Sequence, residues 1–258
     1  MSRHTFIIVM ACVSLFVGMS LFNIVCYRFG RRKPTKGDVK PEVPGAIIGA
    51  VFALLGLLIA FTFSGAYSRF DTRRQLIVHE ANAIGTAYLR LDLLPAAAQP
   101  SLRNKFREYA ASRAALFEEL ADVQSAKSEL ARTDALELEI WNEAVSASAG
   151  SEYQSARLLL MPAINEMIDL VTTRTVAIHT HPPLPIFAML FALALACAGL
   201  TGYRAGTAEQ PAHFYNIILA AVTACVLYLI LDIEYPRYGL VRLDDVNNVL
   251  VELVKTMK

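Results

Sequence analysis

Long apolar stretches without a single charged side chain are the dominant pattern of this chain. Four stretches, each of about 20 residues or more, contain no Asp, Glu, Lys or Arg. They are residues 5–27, 43–67, 184–203 and 212–231. Because a helix rises 1.5 Å per residue, each can cross a hydrocarbon core about 30 Å thick. A charged side chain at the centre of a span costs about 2.5–3.5 kcal/mol. The absence of charged side chains from these stretches therefore predicts four transmembrane helices.

The first apolar stretch has to be weighed against a secretory signal peptide. The apolar core of a signal peptide has about 7–15 residues and is followed by a small-x-small cleavage site. This stretch is longer and no such site follows it, so we interpret it as a transmembrane helix. All four cysteines lie inside apolar stretches, where they behave as small apolar residues.

The polar region between the second and third spans, residues 68–183, has apolar residues at three- and four-residue steps. This periodicity predicts an extramembrane bundle of amphipathic helices. Ser101 is expected to cap one of them, and Gly150 marks a turn between two others. The helix of the second span is expected to continue past the membrane through Arg69 and Glu80.

The predicted fold class is an all-α membrane protein with four transmembrane helices and an extramembrane helical bundle inserted between spans 2 and 3. The predicted division is transmembrane helices 1 and 2 in 1–67, the helical insert in 68–183, transmembrane helices 3 and 4 in 184–232, and a short helical tail in 233–258.

Composition agrees with a membrane protein and excludes several functions. The chain is 55% hydrophobic and 18% charged, and its net charge of +1 predicts no nucleic-acid partner. No GxSxG, P-loop or HExxH motif occurs, so we expect no enzyme activity and no cofactor. His179 and His181 are candidates for a metal site, but no acidic or cysteine residue is adjacent to them. A solvated, proline-stiffened start of the third span is therefore the favoured explanation. We predict no metal.

The second span carries small residues at Gly45, Gly49, Ala53 and Gly56. One interpretation is close packing between helices, for which such spacing is common. The other is a pore-lining helix, because Ala53, Leu57 and Phe61 form an apolar row at four-residue steps that could repel water. The spacing alone favours close packing, with the pore-lining helix as the alternative.

Polar and basic residues follow this row at the end of the span. A hydroxyl- and arginine-rich exit would form a wet vestibule that attracts anions. Its candidate residues are Thr62, Ser64, Arg69, Arg73 and Arg74. The alternative is anchoring of the helix at the membrane interface by Tyr67, with arginines facing the headgroups.

Two motifs carry a resemblance to a known family. Residues 58–74 resemble the second-helix signature of bestrophins: an apolar run ending in Phe, a polar segment, then Tyr-x-Arg-Phe and a further Arg. A second stretch resembles the bestrophin Glu-x-Pro-Phe-Gly…Asp pattern after the last span. Its matching residues are Glu234, Pro236, Gly239, Asp244 and Asp245. The plan of four spans with a helical insert also resembles that family.

The resemblance implies an oligomeric, pentameric ion channel whose pore is lined by the second helices, with Ala53, Leu57 and Phe61 as its neck. It also implies a cytoplasmic insert and cytoplasmic termini in an inner or plasma membrane, whereas basic residues near the spans are equal in number on the two sides. Thr62 stands where bacterial members often have an arginine. The acidic run of animal members is reduced to Asp244 and Asp245, so calcium gating is not implied.

Two functions therefore compete. The first is passive conduction of small ions, with anions such as chloride favoured, by a homo-oligomer in the lipid bilayer. The second is a non-conducting membrane sensor or scaffold that binds a partner through its insert. Anion or cation preference, the gating stimulus and the number of copies remain open at this point.

Overall fold

The structure, a computed structural model, describes residues 3–32, 44–119, 123–209, 213–236, 241 and 244–257. It contains eight α-helices in these ranges, and no β-strand occurs there. The helices are α1 (Arg3–Arg32), α2 (Gly45–Arg90), α3 (Gln99–Glu119), α4 (Val123–Ala147), α5 (Gln154–His179), α6 (Leu184–Thr207), α7 (His213–Glu234) and α8 (Asp244–Thr256). The predicted all-α membrane fold is confirmed, and four helical segments are long and apolar enough to cross a membrane.

The second span and the helix that follows it are one element. α2 has 46 residues and runs without a break from Gly45 to Arg90, as the sequence predicted. A short 3₁₀ turn, Leu91–Leu93, follows it. The predicted cap at Ser101 is wrong: α3 begins at Gln99, because Pro100 fits the first turn of a helix, where no backbone N–H is needed.

The chain forms two compact units. One comprises residues 1–70 and 181–242, and in it α1 packs against α6 and α7. The other comprises residues 71–180 and 243–258, and in it α3 packs against α4 and the tail helix α8, while α4 packs against α5. Leu102, Phe106 and Ile140 are fully buried in this second unit and form part of its core.

Glycines on α6 allow α1 to approach very closely. A Cβ at Gly202 would overlap the carbonyl oxygen of Asn23, and one at Gly206 would overlap that of Tyr27. Gly30 makes the reciprocal close approach to α6, at the carbonyl oxygen of Tyr203. Small residues of this kind are what lets membrane helices pack backbone to backbone.

We expect Gly206→Ala to destabilise this helix pair. The added methyl group forces the two backbones apart, and overpacking of this kind costs about 1–3 kcal/mol. The thermal unfolding midpoint in detergent should fall by several degrees. Gly18→Ala is the matched control, since its Cβ would make only an ordinary contact of 3.6 Å with Leu195. Equal midpoints for both variants would contradict this packing.

Candidate functional site

The membrane half of α2 attaches to the rest of its unit along a narrow stripe. Buried positions recur there at seven- and four-residue steps, which place them on one side of a helix. They are Ile48, Leu55, Thr62, Ala66 and Phe70. The other faces of this segment are therefore available to something outside the single chain.

The candidate neck residues lie on the face opposite this stripe. At about 100° per residue, Leu57 is about half a turn away from Ile48. Leu57 is 52% exposed and Phe61 is 67% exposed in the single chain, and Ala53 is also exposed. The structure thus brings the three onto one uncovered apolar row. Either lipid or further copies of the chain can cover it.

The small residues of α2 do not serve close packing within the described chain. A Cβ at Gly49 or Gly56 would meet nothing within 4 Å. Gly45 differs, because a Cβ there would lie 3.2 Å from a guanidinium nitrogen of Arg204. Packing inside the subunit therefore does not explain Gly49 and Gly56.

The two hydroxyl residues after the neck have different environments. Thr62 is buried in the attachment stripe, and its hydroxyl donates a 2.7 Å hydrogen bond to the carbonyl oxygen of Leu58. Ser64 is exposed and lies within about 60° of Phe61 around the helix. Of the two, only Ser64 extends the apolar row toward the end of the span.

Arg69 forms an ion pair with the second motif. Its Nε and Nη2 atoms donate to the carboxylate of Glu234, with a shortest distance of 2.7 Å. Glu234 is fully buried at the end of α7, whereas the Arg69 side chain is 26% exposed. His181 Nδ1 lies 3.0 Å from the same carboxylate, and its ring stacks on Tyr235. The two motifs found in the sequence thus meet in space.

Arg73 is held by backbone carbonyls and Arg74 lies on the surface. Arg73 is buried, and its Nε and Nη2 atoms donate 3.0 Å hydrogen bonds to the carbonyl oxygens of Ala177 and Thr180 at the end of α5. A guanidinium at this place satisfies carbonyls that a helix C-terminus leaves open and complements the helix dipole. Arg74 is exposed.

The remaining residues of the second motif are only partly described. Pro236 is buried directly after α7. Asp244 and Asp245 lie in the first turn of α8. Gly239 lies outside the described residues, as do the side chains of Asp244 and Asp245. No group of His, Cys, Asp and Glu that could hold a metal occurs in the part of the chain that is described.

A buried amide network between three helices was not predicted from the sequence. Asn23 Nδ2 donates to the carbonyl oxygen of Ala198 at 2.9 Å and to the Thr201 hydroxyl at 3.3 Å. Asn216 Nδ2 in turn donates to Asn23 Oδ1 at 3.2 Å. Asparagine inside an apolar span was the available signal, because an amide there needs a partner on another helix.

A buried ion-pair cluster links three helices of the second unit. Glu80 on α2 is fully buried and pairs with Arg113 of α3 and with Arg174 of α5. Two guanidinium groups around one carboxylate supply the hydrogen bonds that a buried charge requires. This cluster joins three helices of the unit through one side chain.

A second carboxylate of this unit has a raised pKa. Burial raises the pKa of Glu137 to about 7; the hydrogen bond donated by Tyr109 opposes this, and nearby Asp134 adds to it. Burial also raises the pKa of Tyr109 well above its usual range, although Arg113 opposes that change. Tyr109 therefore stays a hydrogen-bond donor at neutral pH.

Glu137 is expected to make stability pH-dependent. Its folded pKa is higher than the 4.5 of an ordinary glutamate, so the folded state binds the proton more tightly. This contribution is present below about pH 4.5 and is lost as the pH rises toward 7. Because Glu137 is partly exposed, we expect about 1–2 kcal/mol.

Thermal unfolding at several pH values tests this expectation. Glu137→Gln should flatten the decline of the unfolding midpoint across this range, and Glu152→Gln, at an exposed site, should leave it unchanged. An identical pH profile for wild type and Glu137→Gln would show that Glu137 does not titrate in this way.

These observations define a multi-pass α-helical membrane protein. A family model for the Bestrophin-like domain matches residues 13–247, and the chain belongs to this family. A search of curated proteins finds no match.

The fold is similar to crystal structures of a bacterial bestrophin homologue from Klebsiella pneumoniae that carry point mutations. One has a TM-score of 0.68 at 16% identity and covers 96% of this chain and 99% of its own. A second has a TM-score of 0.70 at 16% identity, with 97% of both chains covered. A third has a TM-score of 0.69 at 17% identity, with 96% and 98% covered. These likenesses show the fold.

Proposed function

We propose that the protein is an ion channel that forms a closed ring of five copies and conducts small ions passively, with chloride as the favoured ion. The α2 helices line its central pore, and Ala53, Leu57 and Phe61 form the neck. The helical insert and both termini lie in the cytoplasm, as the resemblance to bestrophins implies. The ring is embedded in the cell membrane.

One observation carries this proposal: the apolar row of α2 lies opposite the stripe that attaches α2 to its own unit. A helix attached on one side and uncovered on the other can face a symmetry axis. Gly49 and Gly56, whose Cβ positions are open, leave room for another copy at the same level. Head-to-tail contacts between identical subunits form a closed ring when the rotation between neighbours closes.

The neck would act through its lack of polarity. Rings of Leu57 and Phe61 offer no hydrogen bonds to water, and such constrictions gate ion flow by dewetting. Ala53 is small, so its ring would leave a wider passage. The preference for chloride rests on the resemblance, since Arg69 and Arg73 bind acceptors of their own chain.

Mass and ion flux of the purified protein test the proposal. The mass of the protein in detergent, measured by light scattering, should equal that of five copies. Chloride efflux from liposomes that contain the protein should be faster than efflux from liposomes without protein. A monomer or dimer without flux would contradict the channel and favour the alternative, a scaffold that binds a partner through its insert.

A further inference from the structure

One face of α1 carries an uncovered apolar stripe along the membrane span. Met10, Val17 and Leu21 on this stripe are between 44% and 58% exposed. Steps of seven and four residues place them on one side of the helix. Gly30, which packs against α6, lies about half a turn away from them. The stripe therefore faces away from the rest of its own unit.

Three arginines follow this stripe where the charge-free part of α1 ends. They are Arg28, Arg31 and Arg32, which we call the outer arginine cluster, and all three are exposed. Arg28 comes 18 residues after Met10, which is five helical turns, so the two lie on the same side of α1 about 27 Å apart. Because the hydrocarbon core is about 30 Å thick, the cluster is expected at the level of the lipid headgroups.

Exposed aromatic side chains mark the same level on a neighbouring helix. Tyr27 near the end of α1 contacts His213 at the start of α7, with ring centroids 5.0 Å apart. The next two residues of α7, Phe214 and Tyr215, are 70% and 75% exposed. Aromatic rings, tyrosine above all, are enriched where the hydrocarbon core meets water. The start of α7 therefore indicates, independently of α1, that this end of the unit lies at the membrane interface.

The outer arginine cluster has an excess of positive charge. Within the described part of the chain, none of its guanidinium groups has an acidic partner. The carbonyl end of α1 tolerates arginines in its last turn, but like charges three and four residues apart on a helix repel one another. The polar segments at this end, residues 28–42 and 204–209, contain seven basic and three acidic residues. An anion from outside the chain is therefore attracted here.

The membrane unit of a second copy offers few carboxylates to this cluster. The acidic residues described in that unit are Glu209, Asp232 and Glu234, of which the last two are buried. Glu209 lies at the same end as the cluster, after α6. An anionic phospholipid differs, because its phosphate lies at the headgroup level and its acyl chains can cover the apolar stripe of α1. Lipid therefore fits both the charge and the apolar surface.

We propose that the outer arginine cluster is a binding surface for anionic phospholipids such as phosphatidylglycerol. The acyl chains lie along the apolar stripe of α1, and the phosphate accepts hydrogen bonds from Arg28, Arg31 and Arg32. A guanidinium suits a phosphate because its N–H groups can donate two parallel hydrogen bonds. Phosphatidylcholine has the same phosphate, but its own ammonium group cancels the charge. Lipid binding here requires only that the chain spans a membrane, and it holds whether or not the protein conducts ions.

Native mass spectrometry of the full-length protein in a non-ionic detergent tests this surface. Phosphatidylglycerol should bind to the wild-type protein at least about fivefold more tightly than phosphatidylcholine, which is the effect of one basic residue near an anionic lipid surface. Arg28→Gln combined with Arg32→Gln should reduce this preference to less than about twofold. Arg28→Lys combined with Arg32→Lys keeps the charge and should retain most of the preference. Arg132→Gln combined with Arg157→Gln removes two exposed arginines from the insert and should leave it unchanged.

Equal affinity of the wild-type protein for the two lipids would overturn the lipid surface, and so would a preference that survives in the glutamine variant. If the glutamine variant does not fold, the salt dependence of the wild-type protein decides. Its preference should weaken between about 0.1 M and about 1 M ammonium acetate, because the screening length falls from about 10 Å to about 3 Å. A preference that ignores salt would contradict the proposed phosphate contacts. Displacement of the lipid by an equal concentration of glycerol phosphate would show that the cluster binds a free phosphate group rather than a lipid.

Discussion

Phe61→Ala is expected to raise passive ion flux about tenfold, which corresponds to lowering the barrier by about 1.4 kcal/mol. Phe61 is the bulkiest and most exposed residue of the apolar row. Removing a ring of aromatic side chains widens the constriction, and a wider apolar passage stays filled with water more of the time. Leu57→Ala combined with Phe61→Ala should give a still larger increase, while Ala53 is already alanine.

Flux from liposomes loaded with a chloride-sensitive dye measures this effect. Leu21→Ala is the control, because Leu21 is an apolar residue of α1 that is 58% exposed, comparable to Phe61. Because Leu21 is expected to face lipid, Leu21→Ala should leave the flux at the wild-type level. Equal flux from wild type, Phe61→Ala and Leu21→Ala would indicate that the apolar row of α2 faces lipid.

Glu80→Gln is expected to be the most destabilising substitution in the insert. It removes the charge that Arg113 and Arg174 share and leaves two guanidinium groups buried without compensation. Removing one partner of a buried ion pair costs about 3–5 kcal/mol, which is a large part of the stability of a domain. We expect poor yield of folded protein and a much lower unfolding midpoint.

Thermal unfolding of the purified variants checks this result. Glu166→Gln provides the control, since Glu166 lies on the exposed face of α5, and its unfolding midpoint should match that of the wild type. Unfolding of Glu80→Gln at the wild-type temperature would show that the buried ion-pair cluster does not stabilise the second unit.

Sequence patterns predicted the elements of this fold well, because each depends on local physics. The absence of charge over about 20 residues identified the membrane helices, since the cost of burying a charge in lipid is independent of the rest of the fold. The continuation of α2 past the membrane through Arg69 and Glu80 was also predicted and is confirmed. The start of α3 was misplaced because Pro100 and Ser101 are both suited to the beginning of a helix.

Partners that are distant along the chain could not be predicted in this way. Arg69 and Glu234 are 165 residues apart, and a single sequence contains no signal that joins them. Arg69, Arg73 and Arg74 together suggested an electropositive vestibule, but Arg69 forms an ion pair with Glu234. A metal role for His181 was disfavoured because no acidic residue is adjacent to it in the sequence, and the structure brings an acidic residue, Glu234 at the end of α7, next to it.

The most direct test of the central claim is the accessibility of Phe61 from water. Phe61→Cys, in a protein whose four native cysteines are replaced by alanine, should react with a charged, membrane-impermeant thiol reagent, and the reaction should change ion flux. This result is expected only if residue 61 lines a water-filled path. If residue 61 reacts only with lipid-soluble reagents and flux stays unchanged, the row faces lipid and the proposed pore does not exist.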